Sequence, residues 1–442
     1  MRPDLDIAAM GGQVSAMSAE TNQSLTVEAV IIGAGMAGLT LAHALAGAGI
    51  EVAVVDRTDP ANFTDPAFDG RTTAIATGSA NVLEGIGLWP ELAPKSCPID
   101  TIRVSDGDAL MFLHFDHHEV GEDPLGYILE NRDIRGPLLS AAATSQHIAL
   151  LAPANIESVS RGPGGVSVRL DDAGNGEREV RARVIFACDG RGSSMRREAR
   201  IPVTEWRYDQ SSFVCTIAHA RPHQNIAHER FLPGGPFAIL PMRDPDTPVK
   251  TASGDLRHAA SIVWSESNDL VPAIRGFDDD AFTAELAQRI GGFLGEIALA
   301  SPRWVHPLGL SHAARYTDQR LALVGDAAHG IHPIAGQGLN MGIRDVAALA
   351  EVVVDARRLG LDYGMLPTLQ RYERWRRVDN VALMAVMNGL NQLFSNDIGP
   401  VRLARDLGMA AVNKMPGLKR IFMQHAMGTV GSLPRLLRGE AL

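Results

Sequence analysis

The chain has 442 residues, 45% of them hydrophobic, and a formal net charge of −10, which suits two or three domains with large cores. No apolar run approaches the ~18 residues that a membrane-spanning helix needs, and the negative balance argues against a general nucleic-acid binder. The charge is uneven: from Arg371 onward eleven Lys/Arg stand against five Asp/Glu, a surplus of +6 that leaves −16 on the first 370 residues.

Residues 1–26 are small and polar, with one Arg and no apolar stretch. They read as a disordered tail and not as a secretion signal. Residues 26–32 then read as a strand, followed at once by Gly33-x-Gly35-x-x-Gly38 and a helix rich in small residues (Ala37, Ala42, Ala44, Ala46). A second strand over 50–55 ends in Asp56 and Arg57, the Asp lying 18 residues after Gly38. The spacing has a physical logic: the first glycine allows the turn, the second lets backbone approach a pyrophosphate, and the third packs helix on strand. The acid takes ribose hydroxyls. In this strand–turn–helix–strand setting the motif predicts a dinucleotide site.

Asp69-Gly70-Arg71 places an Arg soon after this unit, a candidate diphosphate ligand. Residues 80–89 have helical spacing. Residues 101–116 alternate around Asp106-Gly107, predicting a β-hairpin that breaks the βαβ rhythm and begins a second sheet. Arg132 falls near a helix start, where it opposes the dipole, so a ligand role is favoured over a structural one. Strands over 165–170 and 179–186 follow, the second ending in Asp189-Gly190. From 201 to 303 strands dominate, interrupted by a loop over 244–257 and a helix over 279–290. They predict an antiparallel sheet covering the substrate, with Phe237 and Trp264 equally suited to core and pocket wall.

The apolar run 321–324 turns at Gly325-Asp326, which puts a carboxylate at the carboxyl end of a strand, where open α/β sheets bind ligands. The glycine-rich loop after it leads into a helix from about Gly338. Free amides at a helix start suit an anionic or electron-rich group. One long helix is predicted over 366–390. Beyond it Val401, Leu403, Leu407, Ala411, Leu418, Ile421 and Phe422 follow helical spacing, flanked by Arg402, Arg405, Lys414, Lys419 and Arg420. Such helices either cap the protein's own core or dock on an anionic membrane or a lipid-carrying partner. Cys97, Cys188 and Cys215 form no Cys-x-x-Cys pair and read as buried small hydrophobes in a reducing cytoplasm. His117-His118 and His329/His332 lack metal-ligand spacing, so no metal is expected.

Three dinucleotide-type turns, Gly33–Gly38, Asp189-Gly190 and Gly325-Asp326, stand in order. That set resembles the FAD-dependent aromatic hydroxylases of the para-hydroxybenzoate hydroxylase fold. His332-Pro333-Ile334-Ala335-Gly336-Gln337-Gly338-Leu339-Asn340, continued by Gly342 and Asp345, is similar to the signature of the ubiquinone-biosynthesis hydroxylases. Asp69-Gly70-Arg71, Glu130-Asn131-Arg132, Leu240-Pro241 with Ser261–Trp264, and the 371–379 helix also fit, so the likeness spans about residues 27–430. Asp56 stands where Glu is common, and the 244–257 loop looks long.

The resemblance implies an α/β fold: a Rossmann-like FAD-binding domain (27–100, 126–200 and 303–365), a mixed-sheet substrate domain (101–125 and 201–302) and a helical C-terminal region (366–442). It implies FAD held by Gly33, Gly35, Gly38, Asp56, Arg57, Arg71, Arg132, Asp189, Gly325, Asp326 and the amides of Gly338, Leu339 and Asn340, with Asp326 on the ribityl chain and Asp189 also serving the nicotinamide donor. It further implies reduction by NAD(P)H, uptake of O2 at flavin C4a as a hydroperoxide, and delivery of one oxygen to a polyprenylated phenol or benzoquinol. No acid/base side chain is assigned; His329 and His332 are candidates for deprotonating the phenol, although satisfied loop histidines are the plainer reading. The expected location is cytoplasmic, with peripheral contact at the inner membrane through the basic tail. A flavin halogenase should carry Trp-x-Trp-x-Ile-Pro, which neither Trp206 nor Trp264 supplies. A prenyl-chain reductase and a non-catalytic lipid-holding scaffold remain as alternatives.

Overall fold

The computed structural model describes residues 23–65, 69–107, 112–172, 176–331, 336–394 and 412–442. The runs Ala29–Ile32, Val52–Val55 and Val184–Ala187 are apolar at every position and wholly buried, as parallel strands covered on both faces must be. They form the centre of a six-stranded sheet in the order Thr317–Asp318, Leu321–Leu323, Val184–Ala187, Ala29–Ile32, Val52–Val55, Ile148–Leu151. All pairings are parallel except at the Thr317–Asp318 edge. Three distant stretches of chain thus share one nucleotide sheet, and their turns meet at its carboxyl end.

A nine-stranded sheet roofs this domain. Its path runs His329–Gly330, Trp304–Ala313, Val203–His219, His258–Ser267, Gly235–Met242, Ile226–Leu232, Thr101–Asp106, Phe112–Asp116, with Ile297–Leu299 added beside Val203–His219. Its outer face packs Phe213, Cys215, Ile217, Phe237, Ile262 and Trp264 against Phe282 and Leu286 of the helix Asp279–Ile290. Phe237 and Trp264 are therefore core. The inner face rests on the strand Thr72–Ala76: Thr72 donates to Ser261 Oγ at 2.8 Å, and Leu240, Met242 and Ala259 pack with Ala74, Ile99 and Ile128.

Several expectations are corrected. Gln23–Thr26 is a strand, although it falls in the stretch read as a disordered tail; it pairs in parallel with Gly176–Ala182. Residues 1–22 lie outside the described residues. The single strand expected over 179–186 breaks at Arg183, Gly176–Ala182 joining a four-stranded sheet and Val184–Ala187 the nucleotide sheet. Continuous β-propensity across the junction hides a change of sheet. The 244–257 loop contains a small hairpin, Val249–Thr251 with Gly254–Leu256. The long helix is Leu366–Phe394.

Candidate functional site

The first turn behaves as its glycines require. Gly33 has φ +106° and a Cβ there would strike the Cys188 carbonyl, while a Cβ on Gly38 would strike the carbonyl of Gly33. Only at Gly35 is the space in front of the backbone open, with no atom within 4 Å of a built Cβ. Gly33 and Gly38 close the turn against the strand end, and Gly35 leaves room for a ligand. Asp56 accepts from the Ala34 amide and the Thr58 amide, both at 2.7 Å, which pins its carboxylate to the turn. Arg57 lies exposed beside it.

Arg191 joins the other two turns. It follows Asp189-Gly190, donates to Asp326 Oδ2 at 3.3 Å and to the Ile331 carbonyl at 3.1 Å. Asp326 is 46% exposed, so its carboxylate faces open space. Asp189 Oδ2 caps the turn, accepting from the Ser194 and Met195 amides at 2.6 and 3.2 Å; its buried Oδ1 has no partner. Arg71 pairs with Asp69 at 2.9 Å, and that hydrogen bond, with a smaller contribution from the charge of Asp326, raises its pKa. Arg132 instead pairs with Glu130 at 2.6 Å, so the ligand role inferred from its opposition to the helix dipole has a local answer in that carboxylate.

The helix Gln337–Arg358 begins at Gly336, in the left-handed region at φ +60° and with no side-chain cap. Its first amides are therefore unclaimed by a capping side chain, and Gly338 has open space before it. Asn340 is fully buried and its side chain is committed. Its Oδ1 accepts from the Ala76 amide at 2.9 Å, and its Nδ2 donates to the carbonyls of Ala74 and Gly336 at 2.8 and 3.2 Å. This clamp holds the helix start to the strand beneath the roof.

Sequence reasoning missed two buried ionic clusters. Asp69 accepts from Arg71, Asn131 and Arg135; burial alone would raise its pKa, but Arg71 and Asn131 hold it well below the carboxylate range. Asp345 accepts from the Gly325 amide at 3.1 Å, His329 at 2.5 Å, Arg376 at 3.0 Å and Asn380 at 3.1 Å. Against its burial these partners bring its pKa down to about 2. His329 is thus a satisfied buried residue that braces the Gly325-Asp326 turn through Asp345; His332 lies outside the described residues. His306, also missed, stands near Arg71, its pKa lowered by burial and then by Arg71, and its buried Nε2 has no partner. The signal for the Asp69 cluster was present in the spacing of Asn131 and Arg135; His306 had none.

Cys97 and Cys215 are buried, and burial pushes both thiols up to about 12. Asp116, His117 and His118 bring ligand atoms within 4.8 Å at a surface turn, but Asp116 there accepts from the His118 amide. In the C-terminal region, Lys419, expected to face a membrane, is buried and paired with Glu119 at 2.5 Å. It snorkels inward because Met423 and Met427 carry that face of the helix Pro416–Met427 into a cluster with Leu125. Ile421 and Phe422 are exposed, and residues 401–411 lie outside the described residues.

The FAD binding domain family matches residues 26–358. The ubiquinone hydroxylase UbiL of Rhodospirillum rubrum is 45% identical over 94% of this chain and 93% of its own length. The 3-demethoxyubiquinol 3-hydroxylase of Escherichia coli is 33% identical over 92% of this chain and 100% of its own. Among solved structures, the p-nitrophenol 4-monooxygenase of Pseudomonas putida shares the fold with a TM-score of 0.74 at 16% identity, covering 93% of this chain and 100% of that one. With the three turns drawn together through Cys188 and Arg191, the chain belongs to the FAD-binding-domain flavoproteins, in the branch of the ubiquinone-biosynthesis aromatic hydroxylases.

Proposed function

We propose that this protein hydroxylates the ring of a polyprenylated phenol or benzoquinol, using FAD, NAD(P)H and O2. The observation that carries the reading is a row of apolar side chains on the inner face of the roof sheet, which rests on the strand Thr72–Ala76 that Asn340 clamps to the start of the helix Gln337–Arg358. Trp304, Val214, Val263 and Ala238 stand opposite one another across four strands, and Trp304 overlies Gly70, next to Arg71.

The donors present fit FAD. Gly35 leaves room for the diphosphate, Asp56 offers a carboxylate to the ribose, and Asp326 offers one to the ribityl hydroxyls. The unpaired Asp189 Oδ1 offers a further acceptor. Bound FAD would supply electron transfer from the nicotinamide and activation of O2, chemistry that side chains lack. The chain's own contribution is orientation and charge. Amides at Gly338 and Leu339, left without a capping side chain, would serve the region where negative charge grows on reduction, and the roof would exclude water. The test is absorbance of the purified protein: flavin should bleach with NAD(P)H faster when a prenylated phenol is added, and the phenol should gain one oxygen atom.

The tail gives a finer reading. Met415, Ile421 and Phe422 are 53%, 50% and 45% exposed, with exposed Lys414 and Arg420 beside them. Among the described residues no helix is long and apolar enough to cross a membrane. In this reading the patch docks on an anionic lipid surface, apolar side chains dipping below the headgroups while the cations meet phosphates. A substrate with a polyprenyl tail resides in such a surface.

A further inference from the structure

The inner face of the roof carries one group that nothing above uses. On the strand Ile226–Leu232, Glu229 stands opposite Ala238 on one side and Val104 on the other. It therefore extends the row Trp304, Val214, Val263, Ala238, which continues through Val104 to Leu113. Of these seven side chains, six are apolar and one is a carboxylate.

Its position along the strand is as telling. Two residues earlier, Ala227 packs in the layer where Leu240 and Met242 rest on Ala74, and Ala74 in turn sits beneath Gly336, where a Cβ would come within 3.0 Å of the Ala74 Cβ. Two residues later, Phe231 stacks on Phe394 with ring centroids 4.0 Å apart. Glu229 thus occupies the gap between the sheet's contact with the flavin-side strand and the stacked pair beyond, each about 7 Å away along the strand.

Glu229 is half-buried, and four fully buried carboxylates show what such a group elsewhere in the fold receives. Arg135 serves Asp69, Arg178 serves Asp172, Arg289 serves Glu266, and Arg376 serves Asp345. Among the described residues Glu229 has neither ion pair nor side-chain hydrogen bond. Its charged neighbours point away. His228 lies on the outer face against Phe293, opposite Arg103, and Arg230 reaches the Arg289 and Gly107 carbonyls. Asp106 stands beyond, opposite Phe231. Burial alone moves the Glu229 carboxyl up to about 7. An unpaired carboxylate in an apolar wall is costly unless a ligand completes it.

We propose that Glu229 is the proton acceptor for the substrate's ring hydroxyl. This rests on the phenol hydroxylation proposed above. The phenolic O–H bond breaks, its proton goes to a Glu229 oxygen, and the electron pair stays on the phenolate oxygen, which enriches the ring carbon that takes the new oxygen. Nothing is oxidised or reduced in this step. After oxygen transfer, the carboxylic acid returns its proton to the phenolate oxygen or to water.

The test uses the FAD-loaded enzyme and two alkylphenols with the same octyl tail, one unsubstituted and weakly acidic, the other a para-nitrophenol. Glu229→Gln keeps shape and removes the base, and Glu229→Asp retains a carboxylate as a second variant. Turnover of the weakly acidic phenol should fall with pH below about 7 in wild type. In Glu229→Gln it should drop about a hundredfold and lose that acid limb, with FAD content unchanged. The nitrophenol, already acidic, should lose far less, and Glu229→Asp should keep the limb.

A second readout needs no turnover. By difference absorbance against the flavin, the bound nitrophenol should ionise over a broadened pH range in wild type, because it shares protons with the Glu229 carboxylate, and as a single group in Glu229→Gln. The same titration curve in both proteins, equal loss for both phenols, or failure of wild type to bind the probe overturns the assignment. Glu229-dependent broadening without oxygenation would retain the proton acceptor and sink the hydroxylase reading instead.

Discussion

The Arg376 guanidinium meets the Asp345 carboxylate at 3.0 Å across two long helices, with side-chain exposures of 4% and 0%. Asp345 also receives the Gly325 amide, so this buried pair fixes the turn that presents Asp326. Asp345→Asn should leave Arg376 short of a counter-charge and cost roughly 3–5 kcal/mol, as breaking buried pairs does. The Asp345 pKa is depressed from 3.8 to about 2, so its stabilisation is present above about 3.8 and is lost as pH falls toward 2. Thermal melts of both proteins between pH 2 and 7 check this: their difference should shrink at the acid end. A constant difference would contradict it.

The glycines of the first turn should separate folding from binding. Gly38→Ala forces a Cβ into the Gly33 carbonyl and should give insoluble or strongly destabilised protein. Gly35→Ala meets nothing in the protein and should fold with an unchanged apo melting temperature. It should nonetheless lose FAD on gel filtration.

Asp326→Ala should yield soluble protein that purifies largely without FAD, because the residue is half exposed and its contact is with Arg191. Arg71→Ala should weaken FAD binding about ten- to hundredfold, the equivalent of about 1.5–3 kcal/mol for a charge-assisted contact. Fluorescence titration measures both. Arg132, engaged by Glu130, should show the smaller effect of the two arginines.

For the tail, wild type should co-sediment with anionic vesicles and release as salt rises. Reversing Lys414 and Arg420 to Glu should abolish binding without unfolding, since both are exposed. Lys419 is the wrong residue for this test: its reversal would place a second carboxylate against Glu119. Equal partitioning of wild type and the reversed protein would remove the docking surface.

Local chemistry explains what could be read in advance. The Gly33–Gly38 turn, Asp56 and Gly325-Asp326 announce themselves because their constraints lie within a few residues. Asn340 was placed at the right helix start, yet its side chain serves Ala74 and Ala76, more than 260 residues earlier. Lys419 looked like a surface cation because its partner, Glu119, is 300 positions away. Nothing local marks Glu229, the middle of three polar residues in its strand. Only the register with Ala238 and Val104 reveals that it faces inward among apolar neighbours.

The order of the nucleotide sheet has a consequence for biogenesis. Leu321–Leu323 is hydrogen-bonded beside Val184–Ala187, which lies beside Ala29–Ile32. The Gly33 turn leaves the ribosome about 300 residues ahead of Gly325, roughly 15–60 s at common elongation rates. During that interval the nascent chain has the diphosphate turn but neither the Asp326 carboxylate nor the helix amides beyond it. If the proposed site holds FAD, its capture is a late event, and stalled chains ending before residue 321 should emerge colourless.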